Sequence, residues 1–164
     1  MSCDPLELTA ALQTIPWFQE LKPEHFDLLC SVSDLRIVEP GEELFREGDK
    51  EDFLYIVLEG RIAVDIFVPG RGRMRIFTGE PMDVIGWSSA TPVVRQRTAS
   101  ARAVFPGRLI CMDARRLRKL CDENHDLGYV VMRRLANVIA SRLLVTRLQL
   151  LDMFAHPDQE VGRD

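Results

Sequence analysis

The spacing of hydrophobic residues changes twice along the chain and divides it into three zones. Residues 5–33 carry apolar side chains at helical spacing, among them Leu12 and Ile15, and predict helices. Residues 34–112 contain short runs rich in β-branched and aromatic residues, separated by glycine and proline, and predict strands. Residues 113–154 return to helical spacing. We expect a mainly β domain, built as a sandwich, roll or barrel, with helices flanking it.

The middle zone predicts seven short strands. The clearest signal lies in Arg61–Val68, where Ile62, Val64 and Ile66 occupy every second position, as in a strand with one buried face. Pro69–Gly72 follows this run and predicts a hairpin turn. The predicted strands are Leu35–Glu39, Glu43–Arg46, Phe53–Leu58, Arg61–Val68, Arg73–Thr78, Arg97–Val104 and Arg108–Met112.

The last zone predicts a short helix followed by a long one. Asp113 is placed to cap the short helix, and the long helix runs from Leu127 to Phe154, about 42 Å. Its apolar residues spread beyond the width that one face needs. Either the helix packs on its own domain, or one stripe faces the domain and a second stripe pairs with another helix. The predicted pairing seam consists of Val131, Leu135, Val138, Arg142, Val145 and Leu148.

Composition and charge narrow the class of protein. The chain has 164 residues, 46% hydrophobic and 28% charged, a mixture typical of one globular domain. Its net charge of −4 gives no support for nucleic-acid binding by this chain alone. The sequence has no secretory leader, no apolar run of the roughly 18 residues that span a membrane, and no paired cysteine spacing. We therefore expect a cytoplasmic domain over residues 1–154, followed by a polar tail over residues 155–164.

A set of glycines lies between the predicted strands. Gly41 and Gly48 belong to the stretch Pro40–Asp49, and Gly60 ends the stretch Phe53–Gly60. Taken alone, these positions indicate turns in which a positive φ favours glycine.

At this spacing the segment resembles the β-roll of the cyclic nucleotide-binding domain superfamily. The resemblance includes Ile15–Leu21, which is similar to the family's N-terminal helices, and it covers about residues 10–154. It implies a β-roll, or jelly roll, followed by a long C-terminal helix. The arrangement resembles the sensor domain of catabolite-activator-type bacterial regulators, without their helix-turn-helix domain.

The segment Val84–Ala90 predicts an anion site. Gly86 lets the backbone approach an anion closely, and the start of the following helix offers backbone N–H groups. The segment resembles the family's phosphate-binding cassette, which implies that Arg97 and Thr98 hold the anion with a forked cation and a hydroxyl. Thr146 matches a hydroxyl that faces the base in bacterial activators. The predicted ligand residues are Gly86, Trp87, Ser88, Ser89, Arg97, Thr98 and Thr146.

Position 87 departs from the family's pattern. The family's cyclic-nucleotide binders have a glutamate after the glycine, which accepts a hydrogen bond from the ribose 2′-hydroxyl, whereas this chain has Trp87. Losing a hydrogen bond to a charged acceptor weakens binding by roughly 10–150-fold. Trp87 either stacks on a different flat ligand or fills the pocket itself. We therefore expect cyclic AMP and cyclic GMP to bind weakly or not at all.

These features favour a non-catalytic ligand sensor. The resemblance implies a small anionic ligand, nucleotide-like or not, and signalling through the long helix of a homodimer. The alternatives are a ligandless interaction module and a fragment or relative of a DNA-binding transcription regulator. Gly86–Ala90 falls one residue short of a nucleophile elbow and lacks suitable partners, so we expect no enzyme. His25, His125 and His156 are widely separated, so we expect no metal and no cofactor.

Overall fold

Helices flank the strands on both sides, in the order that the hydrophobic pattern predicts. The computed structural model describes residues 5–50, 53–91 and 96–155. In chain order the elements are α1 (Pro5–Gln13), a 3₁₀ helix (Pro16–Phe18), α2 (Pro23–Cys30), β1 (Ser33–Val38), β2 (Glu43–Phe45), β3 (Phe53–Val68), β4 (Gly72–Gly79), β5 (Val84–Ile85), a 3₁₀ helix (Trp87–Ala90), β6 (Ser100–Asp113), α3 (Ala114–Glu123) and α4 (His125–Ala155).

The six strands of the described residues form one antiparallel sheet. The order is β1-β6-β3-β4, with β2 also paired to β6 and β5 paired to β3. β3 and β6 are long because each joins two of the predicted strands. At Gly60 the pairing register shifts but the strand continues, so the predicted break there is a bend. A Cβ at Gly60 would lie 2.7 Å from the carbonyl oxygen of Pro106, so glycine permits this close approach.

Alternate residues of β3 face two different hydrophobic cores. Leu54 and Ile56 belong to the helix-side core, which also contains residues of all four α-helices. Tyr55 and Val57 belong to a second core, formed by strand residues on the other face of the sheet. Because successive side chains of a strand point to opposite faces, the apolar run over 54–57 contributes to both cores, and the sheet is buried on both faces there.

α3 and α4 lie close to their predicted positions in the chain and pack closely against each other. Asp113 caps α3 as predicted, because its carboxylate accepts a hydrogen bond from the backbone N–H of Arg116 at 2.8 Å. α4 matches the predicted long helix to within two residues at each end. At Gly128 a Cβ would lie 2.6 Å from the carbonyl oxygen of Cys121, so glycine lets the two helices meet closely.

The buried face of α4 corrects the predicted pairing seam. Val131, Leu135 and Val138 are 4%, 4% and 7% exposed and belong to the helix-side core. Their side chains therefore have almost no surface left for a second chain. These three residues instead form part of the stripe of α4 that faces the chain's own domain, because an apolar helical pattern does not specify what covers it.

C-terminal to Val138, most side chains of α4 are exposed, as far as its last residue, Ala155. The rest of the predicted tail over residues 155–164 lies outside the described residues. Among the helices that are described, none combines the length and the apolar character needed to span a membrane.

Candidate ligand-binding site

A pocket of about 200 Å³ lies where the strands, the cassette turn (Gly86–Ala90) and α4 meet. The structure brings six of the seven predicted ligand residues to this pocket: Gly86, Trp87, Ser88, Arg97, Thr98 and Thr146. The other lining residues are Phe45, Val64, Ile76, Phe77, Val84, Ile85, Ala99, Arg142 and Val145.

The conformation of the cassette turn depends on Gly86 and Ser89. Gly86 has a φ of 73° in the left-handed region, which favours glycine. A Cβ there would also lie 2.5 Å from Nη1 of Arg97, so a larger residue at this position would displace the Arg97 guanidinium.

Ser89 is the predicted ligand residue that the structure places elsewhere. Its side chain is buried, and its hydroxyl lies within hydrogen-bond distance of the carbonyl oxygens of Gly86 (2.7 Å) and Phe53 (3.1 Å). It does not line the pocket. The Ser89 hydroxyl is occupied by these two carbonyl oxygens, so Ser89 holds the cassette turn against β3.

Arg97 places a buried positive charge at the wall of the pocket. It is 4% exposed, and its guanidinium donates to the carbonyl oxygens of Phe53 at 2.5 Å and Gly86 at 3.3 Å. Its guanidinium carbon lies 4.0 Å from the centre of the Phe45 ring, a cation–π contact. These contacts hold the side chain in one place. A buried cation in such a wall favours an anionic partner.

Trp87 lines the pocket without filling it. The indole packs against the helix-side core, and about 200 Å³ remains open beside it. Together with Phe45 and Phe77 it gives the pocket an aromatic lining, which suits a flat ligand. The indole offers a donor but no acceptor, so this wall cannot accept a hydrogen bond from a ribose hydroxyl through residue 87.

α4 completes the pocket with Arg142, Val145 and Thr146. The guanidinium carbon of Arg142 lies 3.0 Å from the centre of the Phe77 ring, and Nη2 lies 3.7 Å from the Asp83 carboxylate. Burial lowers the pKa of Arg142, and the charge of Asp83 opposes this shift. The Thr146 hydroxyl donates to the carbonyl oxygen of Arg142 at 2.8 Å, a bond within the helix itself.

The placement of Arg142 is a second correction to the predicted pairing seam, whereas Val145 lines the pocket and is still 41% exposed. Arg142 follows Val138 by four residues and therefore continues the stripe of α4 that faces the domain. At Arg142 this stripe faces the pocket, whereas at Val138 it faces the helix-side core. Leu148, the last predicted seam residue, is 57% exposed.

Two lining residues that the sequence analysis did not assign are Phe45 and Phe77. Each has the pattern of an ordinary strand residue, and each lies under an arginine that is distant in sequence: Arg97 over Phe45 and Arg142 over Phe77. No local signal identifies such a pair, because the pairing is decided by the packing of β2, β4 and α4.

The charges of the lining favour an anionic ligand. The described lining residues include two arginines and no carboxylate. They include hydroxyl groups but no histidine that could activate one as a nucleophile. Across the described residues, no group of three or more His, Cys, Asp or Glu side chains is placed to hold a metal ion. The groups that are present can bind and orient an anion.

Comparison with known families gives the class of the protein. The sequence profile of the cyclic nucleotide-binding domain matches residues 35–124, more than half of the chain. This chain belongs to the cyclic nucleotide-binding domain family, and the predicted family is confirmed. Domains of this family are regulatory, in keeping with a sensor fold.

Solved structures with the same fold support this assignment. The crystal structure of a protein described as a cyclic nucleotide-binding protein, from Geobacter metallireducens GS-15, has a TM-score of 0.71 and 26% identity over 86% of this chain and 98% of that chain. The Thermus thermophilus catabolite activator protein has a TM-score of 0.68 and 27% identity over 85% of this chain and 63% of that chain. The predicted fold class is therefore confirmed.

A curated relative places a similar domain in a larger protein. A protein described as a potassium channel, from Rhodopseudomonas palustris, is 27% identical over 107 residues, 65% of this chain. This chain spans only 25% of the length of that relative.

Proposed function

We propose that this chain is a non-catalytic sensor that binds a small anionic ligand and signals through α4. One observation carries the proposal: a single pocket joins the cassette turn, the buried Arg97 and α4. A ligand in this pocket contacts the sheet and the helix together. Its affinity then depends on the position of α4, which is the condition for a ligand to shift a conformational equilibrium.

The signal passes, in this proposal, to a second copy of the chain. Beyond Arg142, α4 carries large apolar side chains that are about half exposed or more: Leu143, Leu144, Leu148, Leu150, Leu151, Met153 and Phe154. An apolar surface of this extent is a liability in a monomer. Pairing two α4 helices about a two-fold axis covers it, and a ligand that moves α4 then changes the geometry of the pair.

The test is native mass spectrometry of the freshly purified full chain, followed by identification of any small molecule that it releases. We expect an organic anion in the native spectrum. The variant Thr146→Trp narrows the pocket from α4 and should lose this molecule, whereas Arg147→Trp, on the adjacent exposed position, should retain it. A bare protein that also shows no thermal stabilisation by a panel of organic anions would instead favour a ligandless interaction module.

A further inference from the structure

The charged groups of the pocket come from two separate elements. Arg97 precedes β6 and stacks on Phe45, whereas Arg142 belongs to α4 and stacks on Phe77. Both arginines and both rings line the same pocket. A ligand that filled the space between these rings would therefore meet a fixed cation on the sheet and another cation on the helix.

The charge of Arg142 is incompletely matched in the structure. Its side chain is 22% exposed, so much of its hydration is lost. The acid that faces it is Asp83, but the separation of 3.7 Å is longer than a hydrogen bond. The other carboxylate oxygen of Asp83 accepts a hydrogen bond from the backbone N–H of Glu80 at 2.9 Å. A half-buried guanidinium with a distant acid gains from a closer anion, since a poorly paired buried charge is costly.

Resting on the function proposed above, we propose that Arg142 is a second anion-binding group, and that the pocket selects flat aromatic ligands carrying two separate acidic groups. One acidic group lies at the Arg97 side of the pocket, the aromatic body lies among Phe45, Phe77 and Trp87, and the second acidic group pairs with Arg142. The ligand's acidic group then supplies the close partner that Arg142 lacks, since Asp83 lies 3.7 Å away. Arg142 is then the residue that distinguishes a diacid from a monoacid, and it connects that choice to α4.

The test uses matched aromatic acids that differ by one carboxylate. The pairs are 2-naphthoate with naphthalene-2,6-dicarboxylate, and benzoate with the shorter terephthalate, each titrated by NMR into the full chain. The wild type should bind at least one diacid about tenfold more tightly than its monoacid, the gain expected for a charged hydrogen bond. Arg142→Gln should reduce this ratio to about one.

The control variant is Arg147→Gln, which removes the same charge from an exposed position on the same helix. It should keep the wild-type ratio, because a general attraction between dianions and the protein would be lost equally in both variants. An Arg142→Gln variant that keeps the full preference for the diacid overturns the inference, as does a wild type without preference in either pair.

The failure of this inference is distinguishable from the failure of the proposed function. If the monoacids shift the indole resonance of Trp87 but the diacids gain nothing, only the role of Arg142 fails. If none of the four acids shifts the resonances of Trp87, Thr98 or Thr146, this inference fails. The proposed function fails with it only where the native protein is also bare and no anion of the wider panel stabilises it. The Trp87 resonance is assigned with the variant Trp87→Phe.

Discussion

Trp87 occupies the position at which the family resemblance implies a glutamate in cyclic-nucleotide binders. It follows Gly86 in the cassette turn and lines the pocket beside Arg97. The positive charge and the turn are both in place, whereas the acceptor for a ribose hydroxyl is missing at residue 87. The identity of this one side chain is therefore expected to set which flat anion is accepted, with the surrounding backbone unchanged.

The first prediction concerns this side chain. Wild-type protein should show no sub-micromolar affinity for cyclic AMP or cyclic GMP in calorimetry. Trp87→Glu should bind both more tightly, by roughly 10–150-fold, because a charged acceptor for the ribose hydroxyl is restored. Trp87→Leu is the control, since it removes the indole without adding an acceptor and should not reproduce the gain. Equal affinities of the Glu and Leu variants would show that bulk, not the acceptor, limits binding.

Buried ionisable residues lie in both hydrophobic cores: Tyr55 and Cys111 in the second core, formed by strand residues, and Cys121 in the helix-side core. Burial raises the pKa of Tyr55 to about 12 and that of the Cys111 thiol to about 11, with their mutual proximity adding to the shift of Tyr55. Burial also raises the pKa of the Cys121 thiol to about 11. All three groups hold their protons to higher pH in the folded chain than in the unfolded chain, so unfolding at alkaline pH releases protons.

The second prediction is a loss of stability at alkaline pH. The contribution of Tyr55 is fully present below pH 10, the ordinary pKa of tyrosine, and is lost as the pH rises through about 12. We expect the free energy of unfolding, measured with urea, to fall between pH 9 and 12, with about 1–2 kcal/mol of that loss due to Tyr55. Tyr55→Phe should flatten this fall, whereas Tyr129→Phe, at the exposed second tyrosine, should not. An equally steep fall in Tyr55→Phe would contradict the prediction.

At the scale of elements, α4 has two halves with different surroundings. The first half packs on α3 and on the helix-side core, from Leu127 to Val138. The second half begins over the pocket with Arg142 and Thr146 and then extends with most of its side chains exposed. The helix therefore connects the core, the pocket and the exposed stripe in one continuous element, as the proposed signalling role requires.

The third prediction concerns the contact of this helix with α3. Gly128→Ala would gain about 1 kcal/mol from helix propensity alone, but its Cβ would lie 2.6 Å from the carbonyl oxygen of Cys121. Overpacking of this kind typically costs about 1–3 kcal/mol, so we expect a net loss of stability in urea unfolding. Ala136→Gly, at an exposed position of the same helix, measures the propensity contribution separately. A stabilised Gly128→Ala variant would mean that α4 is free to move away from α3.

At the scale of the whole molecule, the exposed stripe of α4 is expected to decide the oligomeric state. Leu144, Leu148 and Leu151 are 59%, 57% and 63% exposed and follow one another at intervals of four and three residues. This stripe is different from the one that faces the domain. The pocket and the proposed pairing surface therefore lie on separate faces of the same helix, so the proposed ligand binding and pairing would not compete for the same residues.

The fourth prediction is that the full chain is a dimer. Light scattering at tens of micromolar should give about twice the 18.7 kDa mass of one chain. Leu148→Glu and Leu151→Glu should shift the protein toward the monomer with unchanged circular dichroism, because both side chains are exposed in the single chain. Gln149→Glu adds the same charge at an exposed polar position between them and should remain dimeric. A monomeric wild type would remove the pairing from the proposed function.

The sequence by itself determined most of the elements, although not β5, and it identified the pocket residues of the cassette turn. Alternating Ile62, Val64 and Ile66 predict part of β3, and Asp113 predicts the start of α3, because strand pattern and helix capping are local properties. The family resemblance, which depends on the order and spacing of short segments, implies that Gly86 and Arg97 belong to an anion site. Each of these features can be identified from a short segment of the sequence.

The tertiary structure alone decided what covers each face and which distant side chains meet. It merged four predicted strands into β3 and β6, since a register shift at Gly60 bends the pairing without ending it. It placed Val131 and Leu135 in the chain's own core and Arg142 in the lining of the pocket. A helical period gives the direction of an apolar stripe but not its partner. That partner depends on the packing of the sheet, which brings together residues from opposite ends of the chain.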